Sequence, residues 1–148
     1  MEVYRALASH PNIVGVKEAS GDLALLEQLC ATCGEDFDVY TGNDDQLLAA
    51  MKLGAQGGIS VCSNLFPEET MDLYRLCVNG NLRGAERLRG ELLPKMRALF
   101  WEVNPIPVKY VASLMGLCEA EYRLPLCPPS LEVGRRLRKL FGVGEPQG

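Results

Sequence analysis

Lys17 closes the run Ile13-Val14-Gly15-Val16-Lys17-Glu18, after which the chain turns at once through Ala19-Ser20-Gly21-Asp22. A short β-branched run of this kind reads as a strand buried on both faces, and in α/β proteins ligands gather at the C-terminal ends of such strands. An amine at that place has two readings. It is a nucleophile, or it is an ammonium that snorkels from the strand end into water. The nucleophile must lose its proton, and the ordinary lysine pKa of about 10.4 leaves well under ~0.1% neutral at pH 7. Desolvation by about three pKa units would cost roughly 4 kcal/mol and raise the neutral fraction about a thousandfold, giving an amine able to form an imine with a keto acid. Glu18 points to the other face of the strand by alternation, so it reads as a structural ion-pair or hydrogen-bond partner rather than as the activating base.

Two further strand ends carry distinctive groups: Gly42-Asn43-Asp44 on one, and Gly57-Gly58-Ile59 leading into the other. Parallel strands set such ends side by side. Glycines at 42 and 58 either let the backbone approach a small oxyanion or carbonyl, or only relieve a tight strand-to-helix turn.

The elements that must position these groups follow from periodicity and punctuation. Residues 3 to 9 read as a helix stopped by His10-Pro11, and a strand runs over 12 to 18. Asp22 caps a helix whose Leu23, Leu26, Leu29, Cys30 and Cys33 share one face, ending at Gly34. Asp38-Val39-Tyr40-Thr41 is a second strand, followed by a helix through Leu47, Leu48 and Met51 to Gly54. A third strand spans Gly57 to Cys62, and Pro67 opens a helix that stops at Asn79-Gly80-Asn81. Three strands alternating with helices at this spacing imply parallel pairing through right-handed crossovers. From residue 82 the character changes, and helical spacing dominates. Ala85, Leu88, Leu92, Met96, Leu99 and Val103 predict one long amphipathic helix kinked at Pro94 and broken by Asn104-Pro105-Ile106-Pro107. A helix from about Val108 to Met115, an extended linker at 123 to 129, and a last helix near 131 to 141 complete the chain, with Gly142 to Gly148 as a frayed tail.

Four motifs now stand in order: the lysine strand from Asn12 to Asp22, Tyr40-Thr41-Gly42-Asn43-Asp44-Asp45, Gly58-Ile59-Ser60-Val61, and Glu102-Val103-Asn104-Pro105-Ile106-Pro107-Val108-Lys109. Together they resemble the dihydrodipicolinate (4-hydroxy-tetrahydrodipicolinate) synthase family across nearly the whole chain. The lysine strand alone fits any class I pyruvate-dependent aldolase, and the Asn104 to Lys109 motif disfavours the neighbouring N-acetylneuraminate lyases and 2-keto-3-deoxy sugar acid aldolases.

The resemblance implies an α/β fold: the C-terminal part of a (β/α)8 TIM barrel, about three parallel strands over 1–80, followed by an all-helical C-terminal extension over 81–148. It implies that Lys17 forms a Schiff base with pyruvate, that Ile59 offers its backbone to pyruvate, and that Gly42 lines the same cavity. Asn43 and Asp44 look like neighbours of the site. The enamine would add to aspartate 4-semialdehyde in lysine and diaminopimelate biosynthesis, with no cofactor and no metal. The family also implies a homotetramer. A barrel of this type takes on the order of 250 residues, so the 148 present correspond to its last half, whether through a late start codon, a split gene or a partial gene. The chain alone is expected to expose half a barrel interior and two sheet edges, to fold poorly or only with a complementary N-terminal half, and to turn over little or nothing. A non-catalytic half-barrel interaction module is the alternative from another class.

Bulk composition agrees with a cytoplasmic globular chain. A net charge of -4 and a pI near 5.1 argue against nucleic acid or anionic membrane as partner, and Arg135-Arg136-Leu137-Arg138-Lys139 reads as a solvated helix face. No apolar stretch approaches the roughly 20 residues of a membrane span. The six cysteines fall within apolar patterns and are expected to be small buried hydrophobes. Cys30-Ala31-Thr32-Cys33 has metal spacing without a second pair to complete it.

Overall fold

A computed structural model describes residues 1–33 and 36–144. The strands β1 (Gly15–Glu18), β2 (Asp38–Thr41) and β3 (Gly57–Gly58) form one parallel sheet in the order β1-β2-β3. Helix α1 (Glu2–Ala8) precedes β1, α2 (Leu23–Thr32) follows it, and α3 (Leu47–Lys52) links β2 to β3. Four helices come after the sheet: α4 (Pro67–Val78), α5 (Leu82–Ala98), α6 (Ile106–Leu114) and α7 (Leu131–Phe141). This is the α/β arrangement expected for the C-terminal part of a TIM barrel with a helical extension.

The register Lys17 to Tyr40 to Gly57, with Glu18 to Thr41 to Gly58 one step on, brings the three strand ends into line. Gly15 permits the close pairing at the start of β1, because a Cβ there would lie 2.6 Å from the Asp38 carbonyl oxygen. Asp22 caps α2 as its sequence position implies, its carboxylate accepting from the amides of Ala24 (2.9 Å) and Leu25 (3.2 Å). The expected stop at Gly34 and the end of the expected tail lie outside the described residues.

Two apolar clusters hold the structure. Leu26, Leu29, Phe37, Val39, Ala50 and Ala55 pack α2 and α3 beneath the first two strands. A larger cluster joins Leu47, Leu48, Leu65 and Leu73 to Ala85, Leu92, Met96, Leu99, Val111 and Leu137, so side chains from both sides of residue 80 share one core.

Several expectations are corrected. Only one face of the sheet is covered: Lys17 is exposed, while Val39 and Thr41 are buried on the helix side. Strands that would cover the second face are not among the three. β1 starts at Gly15 rather than Asn12, because the Ile13 amide is taken by the His10 carbonyl in a turn (3.0 Å) and the ladder begins with Asp38 N–H to Val14 O (2.9 Å). β3 ends at Gly58 instead of Cys62, because the amides of Val61 and Cys62 are taken by the Asp44 carboxylate. α5 passes through Pro94 yet stops at Ala98, and Val103 is 70% exposed rather than on its buried stripe. The amides of Phe100 and Trp101 close tight turns onto the carbonyls of Arg97 and Ala98 instead of continuing the helix. α6 begins two residues earlier than expected, with Ile106 and Pro107 in its first turn, where a proline lacks only an N–H that has no helical partner. Cys62 is buried and Cys30, Cys33 and Cys77 are half-buried, but Cys118 and Cys127 are exposed on the irregular segment between α6 and α7. The basic face of α7 is not simply solvated: Arg136 stacks over the Trp101 ring at 4.0 Å and Arg138 donates to the Tyr110 hydroxyl at 2.6 Å.

Candidate active site at the strand ends

Lys17 and Glu18 leave β1 on opposite faces, as alternation requires. Glu18 is buried at 6% exposure and its Oε1 accepts from the Ser20 amide (2.9 Å), holding the turn after the strand. Its own carbonyl accepts from the Gly42 amide at 2.7 Å, which carries the β1–β2 ladder one residue past the strand end.

That extension sets Gly42 directly under Lys17. A Cβ at Gly42 would lie 2.7 Å from Lys17 Cε and 2.6 Å from Ala19 Cβ, so the missing side chain is the space through which the lysine passes. The aminoalkyl chain therefore lies over the middle strand, toward β3. Of the two uses open to a glycine here, close approach is the one the geometry supports, and the group approached is the lysine itself.

Ile59 continues the same row. Its amide donates to the Thr41 carbonyl (2.8 Å) and its side chain is 48% exposed. With the N–H committed, the backbone group Ile59 can turn toward a ligand is its carbonyl oxygen, an acceptor for an N–H or O–H. Lys17, Gly42 and Ile59 thus stand together at one end of the sheet. The water-exposed setting of Lys17 means that any water exclusion around the amine must come from chain beyond these three strands.

Polar side chains that the sequence reading left without a role fix this row. Asp44, 5% exposed, sits just past β2, and its Oδ2 accepts from the amides of both Val61 (3.0 Å) and Cys62 (2.8 Å). Those amides would otherwise extend β3, and their capture is why the strand stops early and coils into the 3-10 turn Cys62–Asn64. Gln46 donates from Nε2 to the Gly21 carbonyl (2.8 Å) and accepts from Asn43 Nδ2 (3.1 Å), tying the loop after β2 to the loop after β1. The only signal for these residues was their place, two to five positions past the end of β2.

Tyr40 pairs with Lys17 across the ladder and shares its face. Its hydroxyl donates to Asp38 Oδ2 (3.2 Å), and that bond to a carboxylate raises the phenol above its ordinary pKa. The Cys62 thiol, beneath the turn, is pushed up to about 11 by burial first and by the nearby Asp44 charge second. The fourth motif lies alongside, where α6 meets the turn Cys62–Asn64; Asn104 and Lys109 line a cavity of about 400 Å3 there with Val61 and Asn64. Among the described residues no group of three His, Cys, Asp or Glu side chains converges to hold a metal ion, and no helix is long and apolar enough to cross a membrane.

Comparison with known proteins gives a consistent set of relatives. The sequence model described as "Dihydrodipicolinate synthetase family" matches residues 1–142. The 4-hydroxy-tetrahydrodipicolinate synthase of Methanospirillum hungatei is 39% identical over 141 residues, covering 95% of this chain and 48% of that protein. Among solved structures, the dihydrodipicolinate synthase of Aquifex aeolicus superposes with a TM-score of 0.90 at 36% identity, over 95% of this chain and 48% of the other. The chloride-inhibited dihydrodipicolinate synthase of Acinetobacter baumannii complexed with pyruvate superposes with a TM-score of 0.88 at 33% identity, over 97% of this chain and 50% of the other. The chain spans about half the length of the curated relatives it matches.

Proposed function

The chain belongs to the dihydrodipicolinate synthetase family, and on that premise we propose that it carries the imine-forming half of a lyase site, with Lys17 as the nucleophile that condenses with pyruvate. The observation that carries this reading is the passage of Lys17 over Gly42, which leaves the amine at the C-terminal strand ends with no Cβ in its way. Support comes from the pyruvate complex of the Acinetobacter relative, whose fold this chain shares over half its length.

The chemistry follows from the groups in place. The neutral Lys17 amine attacks the keto carbon of pyruvate; loss of water gives a protonated imine, whose positive nitrogen withdraws electrons and acidifies the adjacent methyl group. Removal of a methyl proton gives an enamine that adds to the aldehyde of aspartate 4-semialdehyde. Cyclisation and release of the lysine then yield 4-hydroxy-tetrahydrodipicolinate. Gly42 leaves room for the adduct, and the Ile59 carbonyl accepts a hydrogen bond from its N–H or O–H. Proton transfer and the grip on the semialdehyde carboxylate fall to groups on the complementary half of the barrel, which would also bury Lys17 and thereby favour its neutral form. The site is cytoplasmic and needs no cofactor on this reading.

The test pairs this chain in trans with the complementary half of the Methanospirillum protein and measures condensation of pyruvate with aspartate 4-semialdehyde. Activity that appears only with both halves and vanishes in Lys17→Ala is the expected result. Equal activity in Lys17→Ala would overturn the assignment.

A further inference from the structure

We propose that Asp44 is a positioning residue for pyruvate, holding the Ile59–Val61 segment at the height of Lys17 by binding two backbone amides of the chain that follows β3. The inference rests on the reading above that the Lys17 imine is the covalent intermediate.

The sheet itself cannot do this work. β3 has two residues, and its last ladder contact is Ile59 N–H to Thr41 O at 2.8 Å. Past that point the chain leaves the sheet; Ser60 and Val61 accept hydrogen bonds from Ser63 and Asn64, but these lie within the turn and do not tie it to the strands. Asp44 supplies that hold: it is 5% exposed, it stands three residues beyond Thr41 on the middle strand's continuation, and Oδ2 receives Val61 N–H at 3.0 Å and Cys62 N–H at 2.8 Å. A carboxylate oxygen shared by two successive amides is an anion in a backbone nest, and charge-assisted bonds of this kind are about twice as strong as neutral ones. The backbone of Val61 is thus fixed from below, and with it the plane of the preceding peptides, including the Ile59 carbonyl. The carboxylate thus ties the continuation of β2, where Gly42 lies two residues before it, to the chain that follows β3. Asp44 touches no reacting atom itself. Its contribution is to set the distance between the amine and the acceptor across Gly42.

A residue with that role should affect how tightly pyruvate is held more than how fast a bound adduct is reduced. The measurement is borohydride trapping of pyruvate on Lys17, followed by intact mass as a function of pyruvate concentration, in the chain paired with its complementary half. Asp44→Ala, which removes both bonds, is expected to raise the half-saturating pyruvate concentration tenfold or more while changing the maximal trapping rate less than threefold. Asp44→Asn keeps one neutral acceptor oxygen and is expected to lie between, about threefold above wild type. Because Asp44→Ala could lose its fold, Asp44→Asn is also followed by amide hydrogen exchange, where Val61 and Cys62 should lose protection while the Gly42 amide keeps it. Unchanged half-saturation in both variants, or an equal fall in maximal rate with no change in half-saturation, would overturn the positioning role while leaving the imine intact. Absence of a wild-type adduct would overturn the imine reading and this one with it.

Discussion

Gly42 and Lys17 depend on each other at close range. The Cβ of an alanine at 42 would meet Ala19 Cβ at 2.6 Å and Lys17 Cε at 2.7 Å; the lysine can move aside, but Ala19 is held by the turn that Glu18 and Ser20 form. Overpacking of this kind costs about 1–3 kcal/mol, and Gly42→Ala is expected to lower the rate of pyruvate trapping at Lys17 at least tenfold, measured by intact mass after borohydride. Trapping at the wild-type rate would show that the lysine does not use this space. Cys62 makes a separate prediction at the same scale. Its thiol holds its proton more tightly in the fold than in the unfolded chain, with the folded value pushed up to about 11 from an ordinary 9.0. The sign follows: below pH 9 the thiol is protonated in both states and contributes no pH dependence, and as pH rises from about 9 to about 11 the unfolded chain ionises first, so stability falls. Denaturant midpoints across that window should drop for wild type and drop less for Cys62→Ala. For the same reason a maleimide at neutral pH should label exposed Cys118 and Cys127 well before Cys62.

Helix α5 gives the element-scale test. Gly90 sits on its exposed side with no atom within 4 Å of where a Cβ would stand, so Gly90→Ala should stabilise by about 0.5–1 kcal/mol through lost unfolded-state freedom, read as a shift in denaturant midpoint. At the start of α2, Asp22→Ala removes the acceptor for two amides and should cost about 1 kcal/mol. What the sequence made legible divides along the same line. Local signals carried α2 from Asp22, β2 over its four residues and the opening of α4 at Pro67, because a cap, an alternating run and an N1 proline act within a few residues. The short β3 and the end of α5 were not legible. The first is decided by a carboxylate seventeen residues upstream that takes the amides a strand would use, and the second by turns at Phe100 and Trp101 that interrupt a stepping pattern still apolar at Val103. The candidate site shows the same split: Lys17 and Gly42 stood out by residue type at a strand end and Ile59 through the family resemblance, whereas Asp44 was marked only as a neighbour of the site and Gln46 not at all, because both act through partners remote in sequence.

At the scale of the molecule the sheet is open. One face rests on two apolar clusters, and the other presents Lys17 and Ile59 to solvent, with β1 and β3 as its edges. Bare edges and an uncovered face invite pairing with further strands, and the relatives, about twice as long, are where such strands would come from. Mixing the chain with a complementary half should give a single sedimenting species, a higher thermal midpoint and less binding of a hydrophobic dye than the chain alone; unchanged values would mean that the open face is not a docking surface for that half. The stoichiometry of that species also tests the homotetramer that the family resemblance implies. The central claim, that Lys17 is the covalent anchor for pyruvate, is tested most directly by reducing the paired protein with borohydride in the presence of isotopically labelled pyruvate and mapping the label by peptide mass spectrometry. One labelled peptide, modified at Lys17 and absent in Lys17→Ala, is the expected result; label at another lysine, or none in a paired and active protein, would overturn the assignment.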